Sequence, residues 1–496
     1  MKICVIKLTS ALLALLMCFS LLVACAKDDD AQSEDTSAEE VSTTNEVGER
    51  YDANGYLMDD LPEMDLNARE FNILMWSQAK AWEFVDTSTY PTAKVDQALY
   101  AREKNVESRF NVKIEVFTQS CDWANKGAFI QHLANSVNVN DQAYDLVGQY
   151  GAASGDGALQ GLYQNLAEVE HINTNKPWWP KKLTQSTTVN GKVYGLTGDI
   201  SPTLIRSAEC MFLNLDLWEA YNLDEHIQGS TIYDIVRENK WTLEMMKTLA
   251  LNHTGDNEGI EEDQRIYGLS LVHNVSPDGF LYAGGYVMAR DINGRLSLSP
   301  ELETPTFSDW FDEIQALYSG KRGDILNDGG LPVFAASRSV FHVDYMSAAQ
   351  TFAQKGVLFT SLPMPMRSED QGGYYTCPSM YLTIYSIPID VKSYSESGLI
   401  MEALASEAYR TVSDVIYYDI FQTRYNSAGN EDSAEMFDIV FDSIVLDVSR
   451  VFATPLGSFA TFRNAVNDPQ LSWSTVYASA KQNLRSRLAS LLAYMG

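Results

Sequence analysis

The stretch Val193–Asn214, VYGLTGDISPTLIRSAECMFLN, decides how the rest of the chain is organised. It begins inside a strand-like run, Lys192-Val193-Tyr194-Gly195-Leu196. Gly198, Asp199 and Pro202 then interrupt regular structure, since glycine and proline punctuate rather than extend helices and strands. The apolar run Cys210-Met211-Phe212-Leu213 starts a second strand that ends at Asn214. Leu217, Trp218 and Tyr221 follow at helix-like spacing. The pattern is strand, irregular passage, strand, helix.

Upstream, Glu70–Trp76 (EFNILMW) is an apolar run of the kind found in strands covered on both faces. Val95, Leu99, Arg102-Glu103, Val106 and Phe110 recur at helical spacing, which predicts a helix over Ala93–Arg109. Val112, Ile114 and Val116 alternate through Asn111–Phe117, and Tyr144–Gly148 reads as another buried strand. Strands alternating with helices imply a parallel α/β sheet. Ligands of such sheets sit beyond the carboxyl ends of the strands, which points to Trp76, Ser77 and Tyr150.

Downstream, Thr242 is placed to cap a helix and Trp241 to staple onto Met246. Strands are expected over Ile266–Ser270 and Ser337–Met346, the second ending at Asp344-Tyr345-Met346. Ser474–Met495 is an amphipathic helix with Tyr477, Ala480, Leu484, Leu488, Leu491 and Met495 on one face.

The beginning of the chain differs in kind. Lys2 and Lys7 precede an apolar run from Leu8 to Val23, which has the length and flanks of a secretory signal rather than of a membrane span. It ends Leu22-Val23-Ala24-Cys25, which resembles a bacterial lipobox, whose cysteine becomes the lipidated first residue. Residues 1–24 are therefore expected as signal peptide and 25–65 as a disordered acidic tether, too poor in apolar residues to offset ordering entropy. The tether carries much of the formal net charge of −30, an acidity that argues against nucleic acid as partner. Cys121, Cys210 and Cys377 show no Cys-x-x-Cys spacing and read as small buried hydrophobes.

No G-x-S-x-G, complete G-x-G-x-x-G, Walker loop or H-E-x-x-H is present, and no two histidines pair at metal-ligand spacing. Acidic side chains are plentiful, so a glycosidase carboxylate pair stays open. What stands out is aromatic surface at strand ends. A sugar presents an apolar CH face and a polar rim, so a pocket for it needs flat aromatic walls beside hydroxyl-reading polar groups.

The order of these elements resembles the extracellular solute-binding proteins, the capture subunits of sugar-importing ABC transporters. The quoted stretch is similar to their first interlobe crossover, with Thr197 where a proline is usual and Leu213 where a tyrosine is usual. Tyr267-Gly268-Leu269, Phe280–Tyr286 (FLYAGGY), the strand into Tyr345, Leu362-Pro363-Met364-Pro365 and the return crossover Tyr374–Ile387 follow in family order. The resemblance implies an α/β, periplasmic-binding-protein-like (type II) fold: two lobes, each with a mostly parallel sheet, joined by a hinge. The N-terminal lobe would hold 66–200 plus about 379–436, and the C-terminal lobe 206–375 plus about 437–496.

The function expected is capture of a carbohydrate, such as an oligosaccharide, and delivery to ABC permease subunits, without chemistry and without a cofactor. The expected site comprises Trp76, Ser77, Tyr150, Asp199 on the crossover, Tyr282, Asp344, Tyr345 and, from the resemblance alone, Phe459. The protein would be a monomer on the extracytoplasmic face of the bacterial membrane, anchored through lipid at Cys25. Thr254–Arg265 resembles a family calcium loop, but Arg265 stands where a bidentate glutamate is wanted, so no metal is expected. Two other readings stay open: a surface lipoprotein acting as a glycan hydrolase, and capture of a peptide or polyamine.

Overall fold

Arg69–Trp76 forms a strand, β1, in which Phe71 and Ile73 through Trp76 are buried, as its apolar run requires. The computed structural model describes residues 43–44, 48–251, 257, 259–272, 276–293, 295–319, 324–417 and 429–495. A short helix, Lys80–Glu83 (α1), precedes the helix Lys94–Phe110 (α2). Asn111 ends α2 in the left-handed region at φ 46°, a conformation asparagine tolerates, and turns the chain into β2, Val112–Gln119. Helix Lys126–Val139 (α3) leads to β3, Leu146–Tyr150, all of it buried. Tyr150 is thus the last strand residue, and helix Gly151–Leu159 (α4) starts directly after it.

The first crossover contains a short helix, Pro202–Arg206 (α5), which starts on proline where no amide partner is needed. It enters β4, Glu209–Asn214, and Asn214 caps the next helix through the Leu217 amide. There follow β5 (Tyr267–Ser270), helix α6 (Ser276–Ala283), β6 (Ile325–Leu326), β7 (Ser339–Tyr345) and β8 (Phe359–Leu362). The return crossover runs into β9, Thr383–Ser386. Helices Tyr394–Arg410 (α7), Glu431–Asp442 (α8), Ser458–Val466 (α9) and Trp473–Met495 (α10) complete the chain. Helix α10 buries Tyr477, Leu484, Leu488, Leu491 and Met495, the face its periodicity assigns.

Two sheets result. The first has order β9-β3-β1-β2, with β9 antiparallel to β3 and the other pairs parallel. The second has order β6-β5-β7-β4-β8 and is mixed: β6 and β7 lie parallel to β5, while β4 is antiparallel to both β7 and β8. The first sheet takes its fourth strand, β9, from the end of the return crossover Tyr374–Ile387, so the chain leaves it at the quoted stretch and comes back. Register brings the decisive ends together. Tyr150 pairs with Thr383 at one edge, and Tyr345 pairs with Glu209 where the first crossover enters the second sheet.

The expected tether is shorter than 25–65. Residues 48–65 fold onto the body instead. Asp59 is buried against Arg109, Leu61 is buried, and the Tyr56 hydroxyl donates to Asp414. Polar composition concealed this because the segment is held by a few specific ion and hydrogen-bond partners rather than by an apolar run. Cys25 with the export segment, and Asp256 and Glu258 of the loop read for calcium, lie outside the described residues. Arg265 of that loop donates through Nε to the Ile260 carbonyl at 2.9 Å. Among the described residues, no helix is long and apolar enough to cross a membrane and no cluster suited to a metal ion is present.

Candidate functional site

A cavity of about 170 Å³ opens at the carboxyl ends of β1 and β7, one strand from each sheet. Trp76 and Tyr345, the last residues of those strands, both line it. Trp82 and Tyr381 add aromatic surface, while Gln78, Arg206 and Ser379 add polar groups. The strand ends converge because each strand is largely buried and its pairing fixes where it stops.

Three rings make one wall. Trp76 lies 5.3 Å from Tyr150 and 6.0 Å from Tyr381, and Tyr150 lies 5.2 Å from Tyr381, centroid to centroid. The Trp76 indole donates to the Thr383 hydroxyl at 2.9 Å, which fixes the ring plane. Trp76 is only 1% exposed and Tyr150 4%, whereas Tyr381 is 52% exposed. The inner two rings therefore back the outer one. On the other side Arg206 stacks its guanidinium 3.7 Å over the Trp82 ring, and Trp82 is 39% exposed. Two exposed aromatic rings thus face one cavity.

Below Tyr345 lies a buried charged cluster. Asp278 accepts from both Arg450 and Arg463, the latter through Nε at 2.7 Å. Glu209, the cross-strand partner of Tyr345, is 1% exposed and neither carboxylate oxygen has a hydrogen-bond partner among the described residues. Burial first, and then the neighbouring Asp278, push its carboxyl well above the ordinary glutamate value. Burial also raises the Tyr345 phenol.

The expected residues separate into groups. Trp76 and Tyr345 meet at one cavity, with Tyr150 in contact behind Trp76. Ser77 is exposed beside them, its hydroxyl on Gln78. Asp344 points to the opposite face of the sheet from Tyr345, as strand alternation demands; it faces His342 Nε2 at 3.3 Å and receives the Tyr345 amide at 2.7 Å. Tyr282 and Phe459 stack 6.1 Å apart in the core of the second sheet, with Arg450 5.0 Å over the Phe459 ring and Asp447 beside the Tyr282 hydroxyl. Asp199 lines a different cavity of about 460 Å³, with Tyr56, Tyr409 and Phe441, where Ser413 donates to it. Burial raises its carboxyl to about 7. Helix α5 divides the two cavities: Thr203 and Arg206 face the smaller, Leu204 and Ile205 the larger. The larger has no strand end in its lining, so the smaller is the candidate site.

Sequence reading missed Tyr381, Arg206 and Ser379. All three stand on the two crossovers, so an aromatic or cation within those stretches was the available signal.

No protein-family model matches the chain, and no curated protein matches it. Solved structures do. The ABC substrate-binding protein Lmo0181 from Listeria monocytogenes, in complex with cycloalternan, has a TM-score of 0.55 at 12% identity, covering 85% of this chain and 100% of that one. The GacH receptor of Streptomyces glaucescens, solved unliganded and with acarbose, has a TM-score of 0.55 at 13% identity, covering 85% and 99%. UgpB from Mycobacterium tuberculosis, in complex with glycerophosphocholine, has a TM-score of 0.52 at 15% identity, covering 84% and 98%. These similarities establish the fold: a two-lobed, type II periplasmic-binding-protein-like α/β protein.

Proposed function

We propose that this chain is the substrate-binding component of an ABC importer and captures a carbohydrate between its two sheets. The observation that carries the reading is the pair Trp76 and Tyr345, which end strands of different sheets and line one aromatic cavity. Tyr381 and Trp82 supply exposed ring faces for sugar CH groups, and Gln78, Arg206 and Ser379 supply hydroxyl-reading groups. A cavity of 170 Å³ is smaller than the roughly 300 Å³ at the low end of small-molecule sites. In this reading the lobes part to admit a saccharide and close around it.

The lobes are proposed as 66–200 with about 379–436, and 206–375 with about 437–496. Capture proceeds without chemistry, and the ligand passes to permease subunits. Lipidation of Cys25 holds the protein on the extracytoplasmic membrane face, with residues between it and Thr43, whose short strand pairs with Arg50–Tyr51, as the tether. Mass spectrometry of the mature protein tests that anchor: an unmodified Cys25 or cleavage elsewhere removes it.

The neighbours' ligands, cycloalternan, acarbose and glycerophosphocholine, set the panel to be tried, extended with linear maltodextrins. A rise in melting temperature with one of them, and an unchanged ligand recovered afterwards, supports capture. Recovery of cleaved glycan instead would make the protein a hydrolase.

A further inference from the structure

Glu83 is a fully enclosed carboxylate near the cleft, and its partners come from both crossovers. It ends α1 and is 0% exposed. Oε1 lies 3.0 Å from the Ser201 hydroxyl, 2.6 Å from that of Thr203 and 2.7 Å from that of Thr383; Oε2 accepts from the Tyr385 hydroxyl at 2.9 Å. Ser201 and Thr203 belong to the outgoing crossover, and Thr383 and Tyr385 to the returning one. Thr203 Oγ1 also accepts the Thr383 amide at 3.0 Å, so the two crossovers touch at this point. Arg102 completes the enclosure, donating to the Glu83 carbonyl and, at 3.3 Å, to the Ile200 carbonyl. The Thr383 hydroxyl that donates to Glu83 is the one that accepts from the Trp76 indole.

A buried carboxylate costs several kcal/mol of desolvation even when hydrogen-bonded, and an apolar replacement of like shape often serves stability as well. What an apolar side chain cannot do is orient four hydroxyls at once. A hydroxyl has one proton: committed to Glu83, the Thr383 oxygen is left with its lone pairs towards the indole N–H. The carboxylate thereby fixes the direction of the bond that sets the Trp76 ring plane.

We propose that Glu83 is a positioning residue for the ligand cleft: one carboxylate fastens the outgoing crossover to the returning one and, through Thr383, holds Trp76 at the cleft wall. The proposal rests on Trp76 belonging to the ligand site. Glu83 touches no ligand; it acts through Thr383 and the crossovers, about which the lobes must turn. Glu402 is the matched control. It too is a buried carboxylate of the first lobe, but it receives the indoles of Trp178 and Trp179 and, among the described residues, has no hydrogen-bond partner on either crossover.

Fluorine NMR of the full chain labelled with 5-fluorotryptophan separates positioning from simple core filling without needing a ligand. The Trp76 resonance is assigned with Trp76→Phe. In Glu83→Gln the Trp76 signal should shift or broaden while that of Trp241, packed in the other lobe, stays in place. Thr203→Val, nearly isosteric and on the opposite crossover, should move it in the same sense and serves if Glu83→Gln does not fold. Glu402→Gln should move the Trp178 and Trp179 signals only. A folded Glu83→Gln or Thr203→Val protein with an unmoved Trp76 signal would overturn the proposal. Maltotetraose titrated into the same variants adds a second arm: at least fivefold weaker binding than wild type is expected, and unchanged affinity beside a moved Trp76 signal would also overturn it. Failure of the wild type to bind maltotetraose would count against that ligand for the capture reading, and the NMR arm would still decide Glu83.

Discussion

Among single residues, the buried aromatics divide into those that hold the core and those that meet the cavity. Trp241 is 0% exposed, donates to the Pro363 carbonyl at 2.9 Å and packs 5.6 Å from Phe341. Trp241→Ala should cost about 3–5 kcal/mol in chemical denaturation and leave ligand affinity unchanged in whatever fraction folds. Trp76 is as deeply buried, so alanine there should cost stability as well as affinity, which makes Tyr381 and Trp82 the cleaner probes of the cleft. Glu209 gives a pH prediction. Burial raises its folded carboxyl well above 4.5, so the folded state keeps a proton that the unfolded chain has lost. Its contribution to stability is then full below about 4.5 and declines as pH rises towards the folded value. Glu209→Gln preserves the neutral shape. It should match or exceed the wild-type melting temperature at pH 7.5 and show a flatter dependence between pH 5 and 8. A variant less stable than wild type at pH 7.5 would mean that Glu209 is ionised and paired in solution.

At the scale of elements, most of the fold was legible from hydrophobic period. The run before Trp76, the alternation at Val112–Val116 and the stripe on Trp473–Met495 each became the element its spacing assigns. The cap was legible too: Thr242 accepts the Met245 amide at 3.3 Å. Thr242→Ala should cost roughly 1 kcal/mol by urea denaturation, with no change in binding. The site was legible only in part. Strand ends can be read from pattern, which located Trp76 and Tyr345, but the side of a crossover helix cannot. Asp199 and Arg206 stand on one short stretch, yet α5 sends them to different cavities. The packed segment 48–65 escaped for a related reason. Asp59 is held by Arg109, whose hydrogen bond and charge keep its carboxyl below the ordinary value although burial, the largest influence, pushes it up. Removal of residues before Thr43 should leave the melting temperature unchanged, whereas removal of residues up to Asp65 should lower it by several degrees. Equal melting temperatures for the two truncations would show the segment to be a mere tether.

For the whole molecule, the proposed capture of a solute involves the two larger sheets, the two crossovers and the aromatic cavity at the ends of β1 and β7. That cavity is the proposed saccharide site. A micromolar saccharide needs about −8 kcal/mol in all, of which two exposed rings can supply a large share. Titration calorimetry of wild type, Tyr381→Ala, Trp82→Ala and Tyr90→Ala against the saccharide that most raises the melting temperature is the most direct test. Tyr90 is 68% exposed and lies outside the cavity lining, so it controls for loss of any surface ring. Binding should weaken at least tenfold, about 1.4 kcal/mol or more, in Tyr381→Ala and Trp82→Ala, with unchanged affinity for Tyr90→Ala and unchanged ligand-free melting temperatures throughout. Wild-type affinity in both cleft variants would contradict that site.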